Sequence, residues 1–255
     1  MNNRLTEADL EKIFISSRRR RRNPLKVFLS FFLLFLLFFA TLYFALNFSA
    51  ISQQIFFWYH DEFSTNKSDQ LTKVVLSGSD ATGQSSSIPN ISDNSLYIES
   101  IDVRAPITFR VSNNENDVSK NLKNGLIHIA GTSLPGERGN IFITGHSSNF
   151  PWVRSYYNSV FALLNKVVVG DLILIKFQNT NYVYQVTEIF VTSSSDSTVM
   201  DPYFNDPTLT LMTCTPLGTN LKRLIVRANQ ILPSPASARS SSGAAGNKNL
   251  PEGVH

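Results

Sequence analysis

The stretch VFLSFFLLFLLFFATLYFALN, Val27 to Asn47, runs for 21 residues without a charge and is the strongest single constraint in the chain. As a helix rising 1.5 Å per residue it is about 31 Å long, close to the roughly 30 Å hydrocarbon core of a bilayer. It is too long for the apolar region of a signal peptide, and no small-x-small cleavage site closes it, so a transmembrane helix is the reading and a cleaved signal the alternative. Arg18 to Arg22 stand just before the span and His60, Asp61 and Glu62 after it. That asymmetry predicts a single-pass protein with its N-terminus inside and everything downstream outside. Phe56, Phe57, Trp58 and Tyr59 fall where an interfacial aromatic belt belongs.

The formal charge of +4 also belongs to this end of the chain. Residues 1–26 carry eight basic and three acidic residues, and the remainder carries fifteen basic and sixteen acidic. No basic domain is left, which removes the electrostatic case for nucleic-acid binding. A length of 255 residues with 42% hydrophobic content supports one packed domain with appendages.

Composition divides the chain into a basic cytoplasmic tail (1–26), the membrane span (27–47), a juxtamembrane segment and flexible Ser/Gly-rich stalk (48–94), a folded domain (95–232) and a disordered tail (233–255). Inside the domain the punctuation is that of a β protein. SLYIESIDVRAPI reads as a strand ending at Pro106; NGLIHIAG and GNIFITGH are short β-branched runs bounded by glycine. DLILIKF and YVYQVTEIFV read as a hairpin joined by QNTN, and TLTLMTC and RLIVRANQI as two further strands. Only VSKNLKN and FPWVRSYYNSVFALLNK have helical spacing. The fold class expected is mainly β, a closed or nearly closed barrel with one or two short helices, because closure removes exposed edges.

The single cysteine, Cys214, ends the TLTLMTC strand, so it belongs at the rim of the sheet, where binding and catalytic groups collect. A lone thiol is a packing residue, an intermolecular linker or a nucleophile. Two of the four histidines lie in the domain: His146 at a strand end, and His128 within a strand, where packing or hydrogen bonding is the expected role. A thiol needs a base or acid within hydrogen-bonding reach. Attack on a carbonyl also needs a fixed donor for the charge that develops on oxygen. Arg223 opens the strand after Cys214 and suits that role, although Arg223 or Arg227 taken alone is equally a solvated strand residue. One cysteine and scattered histidines give no metal-ligand spacing, and no cofactor is expected.

GLIHIAGTSLPGERGNIFITGHSS together with TLTLMTCTPLGTNLKRLIVRANQI strongly resembles the sortases, membrane-anchored cysteine transpeptidases of Gram-positive-type cell envelopes, over roughly Leu96 to Ile231. The resemblance implies an eight-stranded β-barrel. It makes Cys214 the nucleophile, His146 the general acid/base and Arg223 the donor that meets the oxyanion or positions the substrate, with Thr213 helping to hold the bound peptide. The implied reaction cleaves a surface protein's C-terminal sorting signal of the Leu-Pro-x-Thr-Gly type and passes it to an amine, such as a peptidoglycan precursor. Asp201 to Tyr203 spell the DPY of a pilin-polymerase lid, but lie just before the cysteine strand, where they read as part of the peptide groove. SLPGERG and LPEGV look faintly like sorting signals without an apolar span and basic tail behind them, and Pro151–Trp152 has no assigned role.

With unperturbed pKa values, roughly 3% of thiols are ionised and about a quarter of imidazoles protonated at pH 7, so about 1% of molecules hold both. Activity is therefore expected to be bell-shaped in pH, reporting the coupled pair. Two other readings compete. A papain-like cell-wall endopeptidase would use Cys and His, but there the Cys usually precedes the His. An anchored, non-catalytic barrel would use Cys214 only for packing.

Overall fold

The structure, a computed structural model, describes residues 23–48, 51, 52, 54, 55, 59, 89–149, 155–201 and 206–239. The basic tail, Phe56 to Trp58, most of the stalk, Pro151–Trp152, Tyr203 and residues 240–255 lie outside the described residues. Two compact units divide at Ala45/Leu46.

Helix α1, Pro24–Leu46, has 23 residues, a mean hydropathy of 2.5 over its most apolar window and no buried side chain, so it is long and apolar enough to cross a membrane. Pro24 costs nothing in the first turn, where its missing N–H would have no helical partner. The Thr41 hydroxyl donates to the carbonyls of Leu37 and Phe38 (3.0 and 2.8 Å), so the helix satisfies its own polar side chain.

In the second unit eight strands close into a barrel: β1 (Ser95–Ile98), β2 (Val103–Val111), β3 (Leu126–Ile129), β4 (Gly139–Thr144), β5 (Leu172–Phe177), β6 (Thr180–Ser193), β7 (Pro207–Thr215) and β8 (Lys222–Leu232). The order around the barrel is β1-β2-β3-β4-β7-β8-β6-β5. The pairs β2–β3 and β4–β7 are parallel; the others are antiparallel.

Where the sequence suggests one strand through SLYIESIDVRAPI, the chain makes two, turning at Asp102 (φ 48°), whose N–H donates to the Glu99 carbonyl. Pro106 does not end β2. The Ile107 N–H donates to the Asn94 carbonyl on the β1 side, so the Pro106 nitrogen faces the β3 side, where pairing begins only at Ile107 and no donor is needed. Gly125, before β3, lies against this proline: a Cβ there would come within 2.4 Å of the Pro106 carbonyl oxygen. The β5–β6 hairpin is tighter than QNTN suggests, since Phe177 pairs with Thr180 and only Gln178 and Asn179 turn, both at positive φ.

The parallel step from β2 to β3 requires a crossover, supplied by helix α2, Glu115–Leu122, which starts three residues before the VSKNLKN stretch expected to be helical and ends inside it. The Asn114 side chain caps it by accepting from the Asp117 N–H at 2.8 Å, and Glu115 and Asp117 sit in the first turn, where acidic charge suits the helix dipole. The second expected helix, over 150–166, is absent among its described residues. Residues 155–166 form a chain of tight turns ending in a single 3-10 turn, Leu164–Lys166, with N–H groups bonding three residues back. Phe161, Ala162, Leu163 and Leu164 are buried in succession, a pattern that no single helical face accommodates. Beyond β8, a 3-10 turn spans Pro235–Ser237, and the Arg239 backbone donates to the Gly136 carbonyl and accepts from the Arg138 N–H.

Three hydrophobic clusters result, of which one, around Ile91, Tyr97, Leu172, Leu174 and Val183, is centred on β1, β5 and β6, and the other two flank β4, β7 and β8. The barrel interior is filled by Leu96, Ile141, Ile143, Tyr184, Leu209, Leu211 and Val226 with their neighbours, and closed by Phe161. A second cluster lies on the outer face of β3, β4, β7 and β8, where Phe142, Met212, Cys214 and Ile225 are covered by Val118 and Leu122 of α2 and by Val199 and Met200 of a 3-10 turn, Ser197–Met200. Strand alternation assigns these faces: Leu209 and Leu211 point inward, Met212 and Cys214 outward.

Candidate active site

Strands β4 and β7 run parallel with a constant offset of 68 residues, from Gly139 opposite Pro207 to Thr144 opposite Met212. Two bonds carry the match past the last ladder pair: the Gly145 N–H donates to the Met212 carbonyl (3.3 Å), and the Thr213 hydroxyl donates to the Gly145 carbonyl (2.8 Å). His146 and Cys214 have the same offset of 68 residues, two positions beyond the last ladder pair of the two strands. On the other side of β7, Cys214 stands directly opposite Arg223 of β8. Cys214 of β7 and Arg223 of β8 thus stand in register at one end of the barrel wall, and His146 follows β4, on the other side of β7, by two residues.

All three are buried, with exposures of 3%, 2% and 6%. Burial in the apolar outer cluster pushes the Cys214 thiol above its ordinary pKa, and the positive charge of Arg223 partly opposes that shift. The thiol therefore keeps its proton at neutral pH in the resting enzyme, and activation falls to its neighbours.

His146 is oriented by two amides that sequence reasoning passes over. The Asn149 side-chain nitrogen donates to Asn158 Oδ1 (3.1 Å) and lies 3.3 Å from His146 Nε2. That amide nitrogen only donates, so in this contact Nε2 is the acceptor. The His146 carbonyl in turn accepts from the Phe161 N–H at 2.9 Å, which fastens this segment to the turn sealing the barrel. The Ser148 hydroxyl accepts from the Gly218 N–H at 3.0 Å, tying the His146 segment to the loop after Cys214.

Arg223 is held by the loop in front of it: its terminal nitrogen donates to the carbonyls of Asn220 (2.9 Å) and Lys222 (3.3 Å). Its Nε, buried and without a hydrogen-bond partner among the described residues, remains a donor for an incoming oxygen. Arg227 lies farther from Cys214, opposite Thr210, where it pairs with Glu188 at 3.0 Å and stacks over Phe190 at 4.9 Å. Thr213 faces away from Cys214; its hydroxyl is spent on the Gly145 carbonyl.

His128 is placed elsewhere, fully buried inside β3. Its Nε2 donates to the Ser133 carbonyl (2.9 Å) and its Nδ1 accepts the Arg110 N–H (3.2 Å), which a bulge in β2 diverts from the ladder. Desolvation lowers its pKa to about 4, so it is neutral and structural. Among the described residues no cluster of His, Cys, Asp and Glu could hold a metal ion.

A thiol in register with a guanidinium, with an imidazole just beyond the neighbouring strand, is the set of groups that nucleophilic acyl transfer uses. A sortase-domain family model matches residues 96–231, more than half of the chain, and the protein belongs to the sortase family. It is 32% identical over 156 residues to sortase SrtE1 of Streptomyces coelicolor, a match covering 56% of this chain and 41% of that relative. The chain thus spans about two fifths of that relative's length. Among solved structures it is similar to a sortase D5 transpeptidase from Clostridium perfringens (35% identity, 54% of this chain and 77% of that one, TM-score 0.44). It is also similar to a lid mutant of sortase A from Corynebacterium diphtheriae (32% identity, 56% and 71%, TM-score 0.47).

Proposed function

We propose that this protein is a membrane-anchored cysteine transpeptidase that cleaves a Leu-Pro-x-Thr-Gly-type sorting signal after its Thr and transfers the protein to an amine of the cell envelope. The observation that carries the reading is the register of Cys214 with Arg223 across β7 and β8, with His146 two residues beyond the strand paired to β7 on its other side. Helix α1 is the anchor, and Arg18 to Arg22 before it orient the N-terminus inside and the barrel outside.

In the first half-reaction Cys214 gives its proton to His146, and the thiolate attacks the Thr carbonyl. An S–C bond forms, and the resulting oxyanion is met by the free donor of Arg223. The C–N bond then breaks as the His146 imidazolium protonates the leaving Gly amine, which leaves a thioester on Cys214. An amine attacks that thioester, gives its proton to His146, and departs with the acyl group as the thiolate is released. Because burial holds the resting thiol protonated, the ion pair is a minority state that bound peptide must favour.

Incubating the full chain in detergent micelles with a Leu-Pro-x-Thr-Gly peptide, with and without an amine, tests this. Amine-dependent product, lost in Cys214→Ala, is expected. Cleavage indifferent to amine would make the enzyme a hydrolase, and no reaction beyond the Cys214→Ala background would reject catalysis. The rate is expected to be bell-shaped in pH, with apparent pKa values that belong to the His146–Cys214 pair.

A further inference from the structure

The wall beside Cys214 is built by the segment between β6 and β7, whose Val199 and Met200 pack in the same cluster as the thiol. Among the described residues, the Thr192 hydroxyl of β6 ties that segment near its start by donating to the Asp196 carboxylate, and one buried side chain ties its Val199–Asp201 part to the barrel wall. Asn140, the second residue of β4 and 1% exposed, donates from its amide nitrogen to the carbonyls of Val199 (2.9 Å) and Asp201 (3.2 Å). Its oxygen accepts from the Thr210 hydroxyl of β7 at 2.7 Å. Two carbonyls require the amide's donor end and a hydroxyl proton its acceptor end, so the orientation is fixed; the bonds to Val199 and Thr210 are buried and that to Asp201 partly so. Asn140 lies six residues before His146 on the strand that delivers the imidazole, while Thr210 lies four before Cys214 on the strand that delivers the thiol.

We infer that Asn140 is a positioning residue that fixes the Val199–Met200 wall of the peptide groove to the two strands carrying His146 and Cys214, and so sets sorting-signal affinity and selectivity. The inference rests on the transpeptidase reading for its substrate, but the wall itself can be probed without one. Neither end of an aspartate at this position would donate, so Asn140→Asp turns two buried bonds into repulsions.

The experiment compares wild type, Asn140→Asp and the milder Thr210→Val with an interior control, Leu211→Ala, each as the full chain in micelles. Asn140→Asp is expected to raise KM for the Leu-Pro-x-Thr-Gly peptide about tenfold, with kcat within about threefold, and to flatten selectivity across peptides altered at the Leu and Pro positions. Iodoacetamide should alkylate Cys214 several-fold faster in Asn140→Asp than in Leu211→Ala, which reads the wall even if wild type turns over no peptide. Thr210→Val should move KM about threefold in the same direction, and decides the matter if Asn140→Asp does not fold. Unchanged KM and selectivity with unchanged alkylation would overturn the inference. An equal KM rise in Leu211→Ala at equal loss of Tm would also overturn it, since Asn140 would then contribute stability alone.

Discussion

The barrel interior and the outer cluster lie back to back on the same strands and are built differently. The interior is aliphatic and aromatic, with Ile, Leu and Val interdigitated around Tyr184 and Phe161. The outer cluster holds Cys214 and both methionines other than Met1, bordered by the buried polar side chains of Asn140, Thr210, Arg223 and Arg227. Branched aliphatics lock one packing, whereas methionine adapts to what lies beside it. The inner cluster therefore holds the strands in register, and the outer one forms a deformable, low-dielectric bed for the thiol. Stability and reactivity are assigned to opposite faces of β7, one residue apart.

Substitutions on the two faces test that division. Leu211→Ala, on the inner face, is expected to cost about 2–5 kcal/mol in denaturant unfolding while leaving the alkylation pKa of Cys214 within about 0.2 units. A comparable pKa shift there would break the division. Arg223→Ala, on the outer face, should lower kcat by about 10²–10³ with little change in Tm, and should raise the thiol pKa further by removing the charge that opposes desolvation.

His128 supplies a stability test independent of the site. Its folded pKa of about 4 lies below the ordinary 6.5, so the unfolded chain binds the extra proton first and stability is full only above pH 6.5. Unfolding titrations should show up to about 3 kcal/mol lost as pH falls from 6.5 toward 4, an effect reduced in His128→Gln. The smallest effect expected is in Met212→Ala. Opening space beside the thiol should lower its alkylation pKa by about half a unit, whereas the inward Leu211→Ala should not.

Much of the barrel was legible because glycines and short β-branched runs punctuate it, and the seven strand-like runs all contain strands. What escaped was tertiary. Pro106 reads as a stop, yet β3 starts one residue too late to need its nitrogen. The segment over 150–166 has helical spacing, but its apolar residues fill the barrel end in consecutive turns. The outward face of TLTLMTC is covered by α2 and the 3-10 turn, a contact that strand alternation alone does not announce. For the site, Cys214, His146 and Arg223 come from motif order. Asn140, Asn149 and Asn158 do not, because an amide's role lies in partners distant along the chain, and a lone Asn leaves no periodic mark. Asn149, three residues after His146, was the one amide close enough to suggest itself.

The parallel pairing of β4 with β7 has a consequence for how such a chain can diverge. Once the His146 segment has been fixed by its bonds as far as Phe161, the loops between there and Pro207 that lie outside β5 and β6 are connection as far as that pair is concerned, so they can lengthen, shorten or be exchanged without moving imidazole against thiol. Inside either strand the tolerance vanishes: one residue inserted or deleted turns the end side chains to the opposite face and separates the partners. Variation that retunes substrate choice is thus channelled into connections, and the strands transmit none of it to the reacting atoms.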